Sequence, residues 1–351
     1  MTDFRPSIAT GFAEAFASFD ASRPVLVLTH NDADGLAAGA LFVRALDRVG
    51  RSVRVRVLGR GENPWSDAMR AELAGENVGG VIVADLGVRD GAPLPGTPTI
   101  VVDHHVPAGN PDGAVVLSGY GFDPVPTSSL LAFVCASTLV DVGDLGWLAA
   151  VGLVGDLGDK APFPELAASK AAHTATALKE CVALVNAPRR AALGDAAPAL
   201  ALLLRADGPK DAISGRHGET ALLQAARAEV KLALDVGKRV APQVRGEVAL
   251  VELDSPCQIH PLVAQAWRLR LRDRIVIAAN RGYRPGWVHF ATRSGLDRDL
   301  IAFLRDHRPA GADENYGNGH RQATGGALRP PDWEQFKRSL GFGAASGELA
   351  A

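Results

Sequence analysis

Acids and imidazoles follow four separate apolar runs of this chain. Val25–Leu28 leads into Thr29-His30-Asn31-Asp32-Ala33-Asp34-Gly35, Val81–Val83 into Ala84-Asp85, and Ile100–Val102 into Asp103-His104-His105. A fourth stretch, Leu148–Val154, ends in Gly155-Asp156, with Asp159 close behind. Carboxylates gathered at one edge repel one another strongly unless a cation neutralises them. Oxygen-rich ligand sets containing one or two histidines favour Mn2+ or Mg2+ over a structural zinc. Each residue alone has a blander reading. Asp32 or Asp34 serves equally well as a helix N-cap, Asp85 as a turn residue ahead of Gly87, and either histidine of the pair as a satisfied core residue. Four segments bringing the same chemistry to one structural position exceed what capping accounts for. The residues predict a two-metal site. Two cations about 3.5–4 Å apart polarise phosphoryl oxygens, activate water and stabilise a leaving oxygen. The reaction class is in-line hydrolysis of a phosphate ester, and no Ser-His-Asp arrangement competes with it.

The elements that must position these residues are legible in the first 160 residues. Val25–Leu28, Val81–Val83 and Ile100–Val102 are short continuous apolar runs, as buried parallel strands show. Val53, Val55 and Val57 alternate with Arg54 and Arg56, the pattern of a half-exposed strand. Leu36, Ala40 and Val43 recur at helical spacing, and Leu130–Val140 and Trp147–Val154 read as helices. Strand-helix alternation of this kind predicts an open, doubly wound parallel sheet, whose ligands bind at the carboxyl ends of the strands. From Pro164 to about Val240 the pattern is helical and alanine-rich, with Leu222, Ala226, Val230 and Leu234 on one long helix. Strands are expected again at Val248–Leu253, Arg274–Ala279 and Trp287–Thr292, with helices at His260–Arg272 and Asp297–His307. The fold class is therefore α/β: a catalytic domain over 1–163, a helical linker over 164–245 and a smaller α/β domain over 246–345.

Composition narrows the function classes. The chain has 351 residues, 37 Lys+Arg against 39 Asp+Glu and 47% hydrophobic residues, which excludes a disordered protein and a general nucleic-acid coat. Residues 260–340 carry 14 basic against 8 acidic side chains, a local +6 that suits an anionic substrate. No apolar run is long enough for a membrane span. The start lacks a basic region followed by an apolar one, so a cytoplasmic location is expected. Cys135, Cys181 and Cys257 stand too far apart for a disulfide framework or a zinc cluster. Thr127-Ser128-Ser129 reads as a helix N-cap rather than a phosphate site, Arg60 and Glu62 as a solvated loop, and Trp65, Trp267 and Trp287 as packing residues.

HNDADG (30–35), Asp85 after a strand, DHH (103–105) and Asp156 in GLVGDLGD resemble the four motifs of the DHH phosphoesterases. That family includes RecJ-type exonucleases, oligonucleotide and pAp phosphatases, cyclic-di-AMP phosphodiesterases and, more distantly, family II pyrophosphatases. VHFATRSG (288–295) and YGNGHRQATGG (316–326) resemble the associated DHHA1 domain, so the likeness covers about residues 24–340. One departure is Asn318, where the family usually has glycine; Asn tolerates left-handed backbone better than other non-glycine residues.

The resemblance implies one cation on His30, Asp32 and Asp85, and a second on Asp34, Asp85, His104 and Asp156, with Asp85 bridging. It implies that Asp103 orients His104, that His105 faces the substrate phosphate, and that Arg293, Gly317, Gly319 and His320 bind substrate across an interdomain cleft. The cofactors would be two divalent cations, Mn2+ ahead of Mg2+. The expected function is a RecJ-like exonuclease on single-stranded DNA or short oligonucleotides. The alternatives are a small-nucleotide phosphatase, acting on pAp, oligoribonucleotides or cyclic-di-AMP, and an inactive nucleotide-binding regulator. The intact acids argue against the last.

Overall fold

The computed structural model describes residues 3–313 and 316–343; of 318–320 it describes the backbone only. The chain divides into two compact units, 1–189 with 193–227, and 190–192 with 228–351.

The first unit is built on five parallel strands: β1 Val25–Thr29, β2 Val53–Val57, β3 Gly80–Ala84, β4 Thr99–Asp103 and β5 Ala114–Ser118. Their order is β2-β1-β3-β4-β5. Both faces are covered, which explains the unbroken apolar runs. Val25, Val27, Ile82, Ala84, Ile100 and Val102 pack into one core, while Leu26, Leu28, Val81, Val83 and Val101 pack into another. The first core is closed by α1 Arg5–Phe16, α2 Ala33–Arg48, α4 Ser128–Ser137 and α5 Gly146–Leu157. The second takes Met69 and Leu73 from α3 Asp67–Leu73, together with Trp65. Trp65 is thus a packing residue, as expected.

Helices α6 Pro164–His173, α7 Ala175–Val185, α8 Ala187–Arg190, α9 Ala197–Arg205, α10 Pro209–Ala212 and α11 Gly218–Gly237 follow. Residues 164–189 and 193–227 belong to the first unit, and the division falls inside α11. No helix among the described residues is long and apolar enough to cross a membrane.

The second unit holds a six-stranded mixed sheet ordered β10-β11-β9-β8-β7-β6. Its elements are β6 Gln243–Arg245, β7 Val248–Leu253, α12 His260–Arg270, β8 Ile275–Arg284, β9 Trp287–Ser294, α13 Leu300–Asp306, β10 Asn318–His320, β11 Ala323–Leu328 and α14 Pro330–Ser339. Only β7 and β8 pair in parallel. The helix expected from Asp297 starts at Leu300, because Asp299 is its cap and accepts from the Ile301 and Ala302 amides. The strand expected over 274–279 runs on to Arg284 to pair with β9.

Candidate metal centre

Parallel pairing carries the strand tails together. The His30 amide donates to the Ala84 carbonyl and the Asp85 amide to the Val102 carbonyl, continuing the β1–β3 and β3–β4 ladders by one step. The loops after β1, β3 and β4 therefore leave the sheet side by side, at the point where strand order reverses.

Asp85 turns its carboxylate into this space through a left-handed backbone, φ 63°. A non-glycine residue held there stores about 1–3 kcal/mol, which marks a position set by function or by its surroundings. Its Oδ2 lies 3.4 Å from His30 Nδ1 and its Oδ1 3.6 Å from His104 Nε2, so the two oxygens face opposite neighbours. That is the orientation a bridging ligand needs. Ser128 Oγ also donates to Oδ1 at 2.9 Å.

The first turn of α2 supplies two more carboxylates. Asp32 caps the helix, accepting from the Gly35 amide through Oδ1, while its Oδ2 stands 3.1 Å from His30 Nδ1 and 3.3 Å from Arg189 Nη1. Capping and site chemistry thus coexist in one residue. Gly35 lets the turn fold over His30, since a side chain there would come within 2.8 Å of the His30 carbonyl. Asp34, fully buried, receives the Ser128 and Ser129 amides at 2.8 and 3.0 Å, one on each oxygen, from the N-terminus of α4. Asp156, on the last turn of α5, places Oδ2 3.4 Å from His104 Nε2.

Candidate ligand atoms fall into three groups whose members all lie within 4.8 Å of one another: His30, Asp32 and Asp85; Asp34, His104 and Asp156; and Asp85, His104 and His105. The first group has the residues of the first expected set; the second has three of the four residues of the other, without Asp85, which joins His104 in the third group. Asp159 stands apart, paired with Lys179.

Asp103 does not orient His104. Its Oδ1 accepts from the His105 amide at 2.7 Å and lies 3.1 Å from His105 Nδ1, while Oδ2 accepts from the Gly87 amide. The carboxylate reaches the residue two positions on rather than the next one. Sequence reading also misses Ser128 as a partner of Asp85, Arg189 as a partner of Asp32, and Asn186, whose Oδ1 takes the Ala33 amide. Only the first carries a signal, the TSS string that capping explains.

The electrostatics test whether a cation fits. Burial, then repulsion from Asp34 and Asp32, pushes Asp85 well above the carboxylate range, and the same three causes push Asp156 up to about 8. Burial opposes protonation of His30, yet Asp32 and Asp85 outweigh it and raise the ring to about 10. His30 Nδ1 has no aligned hydrogen-bond acceptor despite these close oxygens. Too many carboxylates share too little solvent, with an imidazole nitrogen aimed among them. A divalent cation satisfies this donor set by replacing the protons.

Freed of divalent cations, the protein is expected to lose thermal stability as pH rises from 6.5 to 8. His30 and His105, raised to about 10 and about 9, keep protons that unfolded histidines release above 6.5; for His105 burial opposes the rise and Asp103 drives it. Asp156 is likewise protonated where an unfolded aspartate is not. The folded state binds more protons throughout this window, so stability falls with pH. Burial lowers His104, His173 and His260 instead; their opposite effect fades as unfolded histidines finish deprotonating above 6.5 and is outweighed by the raised groups. Mn2+ should reverse the slope. A flat or rising melting temperature without cation would contradict the crowding.

The second unit carries the remaining expected residues. Arg293 Nη1 donates to the Thr292 and Thr324 carbonyls, and burial with Arg268 nearby lowers its pKa. Register aligns Arg293 with Ala323 and Ala323 with His320, so Arg293 and His320 occupy one row across three strands. Gly317 has φ 83°. The side chains of Asn318 and His320 lie outside the described residues, and Gly319 is described by its backbone alone. Trp287 lies under Arg329 and Trp267 beside Arg270.

No protein-family model and no curated protein matches the sequence. Solved structures do match. An exonuclease RecJ bound to manganese superposes over 95% of this chain and 94% of its own, with a TM-score of 0.67 at 18% identity. RecJ from Thermus thermophilus in complex with Mn2+ gives 0.71 at 20% identity over 95% of this chain, which spans 54% of that one. A DHH domain from a member of a family of ribosomal proteins gives 0.66 at 16% identity, covering 98% of this chain and 93% of its own. The chain has the fold of RecJ and the DHH-domain structures.

Proposed function

We propose that the chain is a phosphoesterase dependent on two divalent cations, hydrolysing phosphodiester bonds in single-stranded nucleic acid or short oligonucleotides. The observation that carries this reading is Asp85, whose two oxygens face separate ligand groups from a left-handed backbone. His30, Asp32 and Asp85 would hold one cation, and Asp34, Asp85, His104 and Asp156 the other. Bound there, Mn2+ or Mg2+ supplies charge to polarise a phosphoryl oxygen and acidity to activate water. The RecJ structures that share the fold hold manganese or magnesium, which supports the choice of ion.

The protein's own groups do the rest. Asp103 stands 3.1 Å from His105 Nδ1 and favours the protonated ring. The His105 side chain is 53% exposed, so its other nitrogen is free to donate to a phosphate oxygen or a leaving group. Arg189 and Ser128 hold Asp32 and Asp85 in place. Arg293 and His320 are assigned to phosphate binding in the second unit. The slightly negative chain favours short or single-stranded substrates over long duplexes.

Hydrolysis of a labelled single strand, a dinucleotide, pAp and cyclic-di-AMP should be followed with added Mn2+ and after metal stripping. The expected result is Mn2+-dependent cleavage, with the single strand or dinucleotide preferred and Mn2+ at least as effective as Mg2+. Preference for pAp or cyclic-di-AMP would select the small-nucleotide alternative. Full activity in excess chelator would overturn the metal reading.

A further inference from the structure

A cavity of about 520 Å3 opens in the first unit beside the metal centre, between the outgoing end of β2 and the face of α9. Its volume lies in the range of about 300–1,000 Å3 usual for small-molecule sites. Val55, Val57 and Leu58 form one wall. Ala197, Leu200 and Ala201 form the other, and the two alanines leave room that larger residues would fill. Asn31, between His30 and Asp32 in the chain, also lines it. The residue as a whole is only 7% exposed.

The arginine at the rim is already matched, while Asp195, also in the lining, takes the Ala197 amide and pairs with no cation among the described residues. Glu62 takes the Gly59 amide and Arg56 Nη2, and Arg56 Nε is held by Glu72 at 3.0 Å. The cavity therefore offers apolar walls and one side-chain amide, and its arginine is committed to two carboxylates rather than open to a phosphate. A flat, uncharged ring with hydrogen-bonding edges suits it, and the asparagine amide supplies both a donor and an acceptor. Since Asn31 is flanked by two candidate metal ligands, a group seated on it has its phosphate within a nucleotide's reach of those ligands.

We propose that this cavity is the base pocket of the substrate, holding the nucleobase attached to the phosphate that is cleaved, with Asn31 reading its edge. The proposal rests on the phosphoesterase reading for its orientation, while base binding is measurable without turnover. Equilibrium binding of the four nucleoside 5′-monophosphates and of ribose 5-phosphate should be compared in the presence of Mn2+. Wild type should bind at least one nucleotide roughly tenfold more tightly than ribose 5-phosphate. Ala201→Phe, which fills the cavity from a helix position, and Asn31→Ala should bring that ratio toward one, with circular dichroism and Mn2+ content unchanged.

A ratio of one in wild type, or a wild-type ratio in a folded Ala201→Phe protein, overturns the pocket even if the enzyme cleaves oligonucleotides. A base-dependent ratio that Ala201→Phe abolishes, in a protein that hydrolyses nothing, sustains the pocket and overturns the reaction. Should Ala201→Phe fail to fold, Asn31→Ala decides alone: retention of the wild-type ratio for every base then rejects the assignment.

Discussion

Asp85→Asn is expected to leave the protein folded and to remove about three decades of hydrolytic rate, equivalent to about 4 kcal/mol of transition-state stabilisation. Asparagine is the informative replacement because it keeps the shape of the side chain and tolerates the φ of 63° that alanine would strain. One oxygen can still accept from Ser128 Oγ. The other position becomes an amide nitrogen facing His30, and neither cation then has a shared anion. Mn2+ affinity should fall by tenfold or more.

Stability should move the other way. Burial with repulsion from Asp34 and Asp32 works against the ionised carboxylate, so the cation-free variant should melt higher than wild type at pH 8. Mn2+ should raise the variant's melting temperature far less than the wild type's. Activity within tenfold of wild type would remove Asp85 from the centre of the site. A lower melting temperature without cation would remove the like-charge argument.

The strands that deliver these groups are legible because both faces of the sheet are buried. Val25–Leu28, Val81–Val83 and Ile100–Val102 each divide alternately between two cores, and such strands read as unbroken apolar runs. β5 is missing from the expected strands although Ala114–Leu117 is an apolar run too; it is an edge strand in which only Leu117 is buried, so its run does not reflect two covered faces. The glycines of β11 make it read as part of a loop. It is a strand in which Gly325 lies so close to the Phe290 carbonyl that no side chain fits.

At the site, residue types at strand ends expose the acids and histidines, since carboxyl-end loops are where an open sheet binds ligands. Pairings are less legible. Whether Asp103 holds His104 or His105 depends on how the chain turns in the next two residues, which composition does not encode. Ser128 is hidden because one helix start does two jobs. Thr127 Oγ1 caps α4, and the next residue gives its amide to Asp34 and its hydroxyl to Asp85. Arg189 reaches Asp32 from 157 residues away, beyond any local pattern.

The same helix start makes Gly152 a test of the site that alters no ligand. Gly152 lies on α5, which packs against both α2 and α4. A Cβ added there would overlap Ser129 Oγ and Asp34 Oδ1 and lie 2.8 Å from Ser129 Cβ. α5 must then shift, or Asp34 must leave the two amides that hold it at 2.8 and 3.0 Å. Overpacking of this kind costs about 1–3 kcal/mol, and displacing a carboxylate from backbone donors adds about 1.5–3 kcal/mol for each charged hydrogen bond lost.

Gly152→Ala should therefore lower unfolding stability by at least about 1–3 kcal/mol in denaturant titration. It should also weaken Mn2+ binding by about tenfold or more, the scale seen when groups that orient metal ligands are removed. Helix propensity alone predicts the opposite, because alanine is favoured over glycine by about 1 kcal/mol in a helix interior. Gly146→Ala on the same helix is the control, since its added carbon meets only the Phe133 ring at 3.9 Å. That variant should be neutral or slightly stabilised. Equal behaviour of the two variants would mean that α5 does not clamp Asp34. Lost stability with undiminished Mn2+ affinity would place Asp34 outside the ligand set.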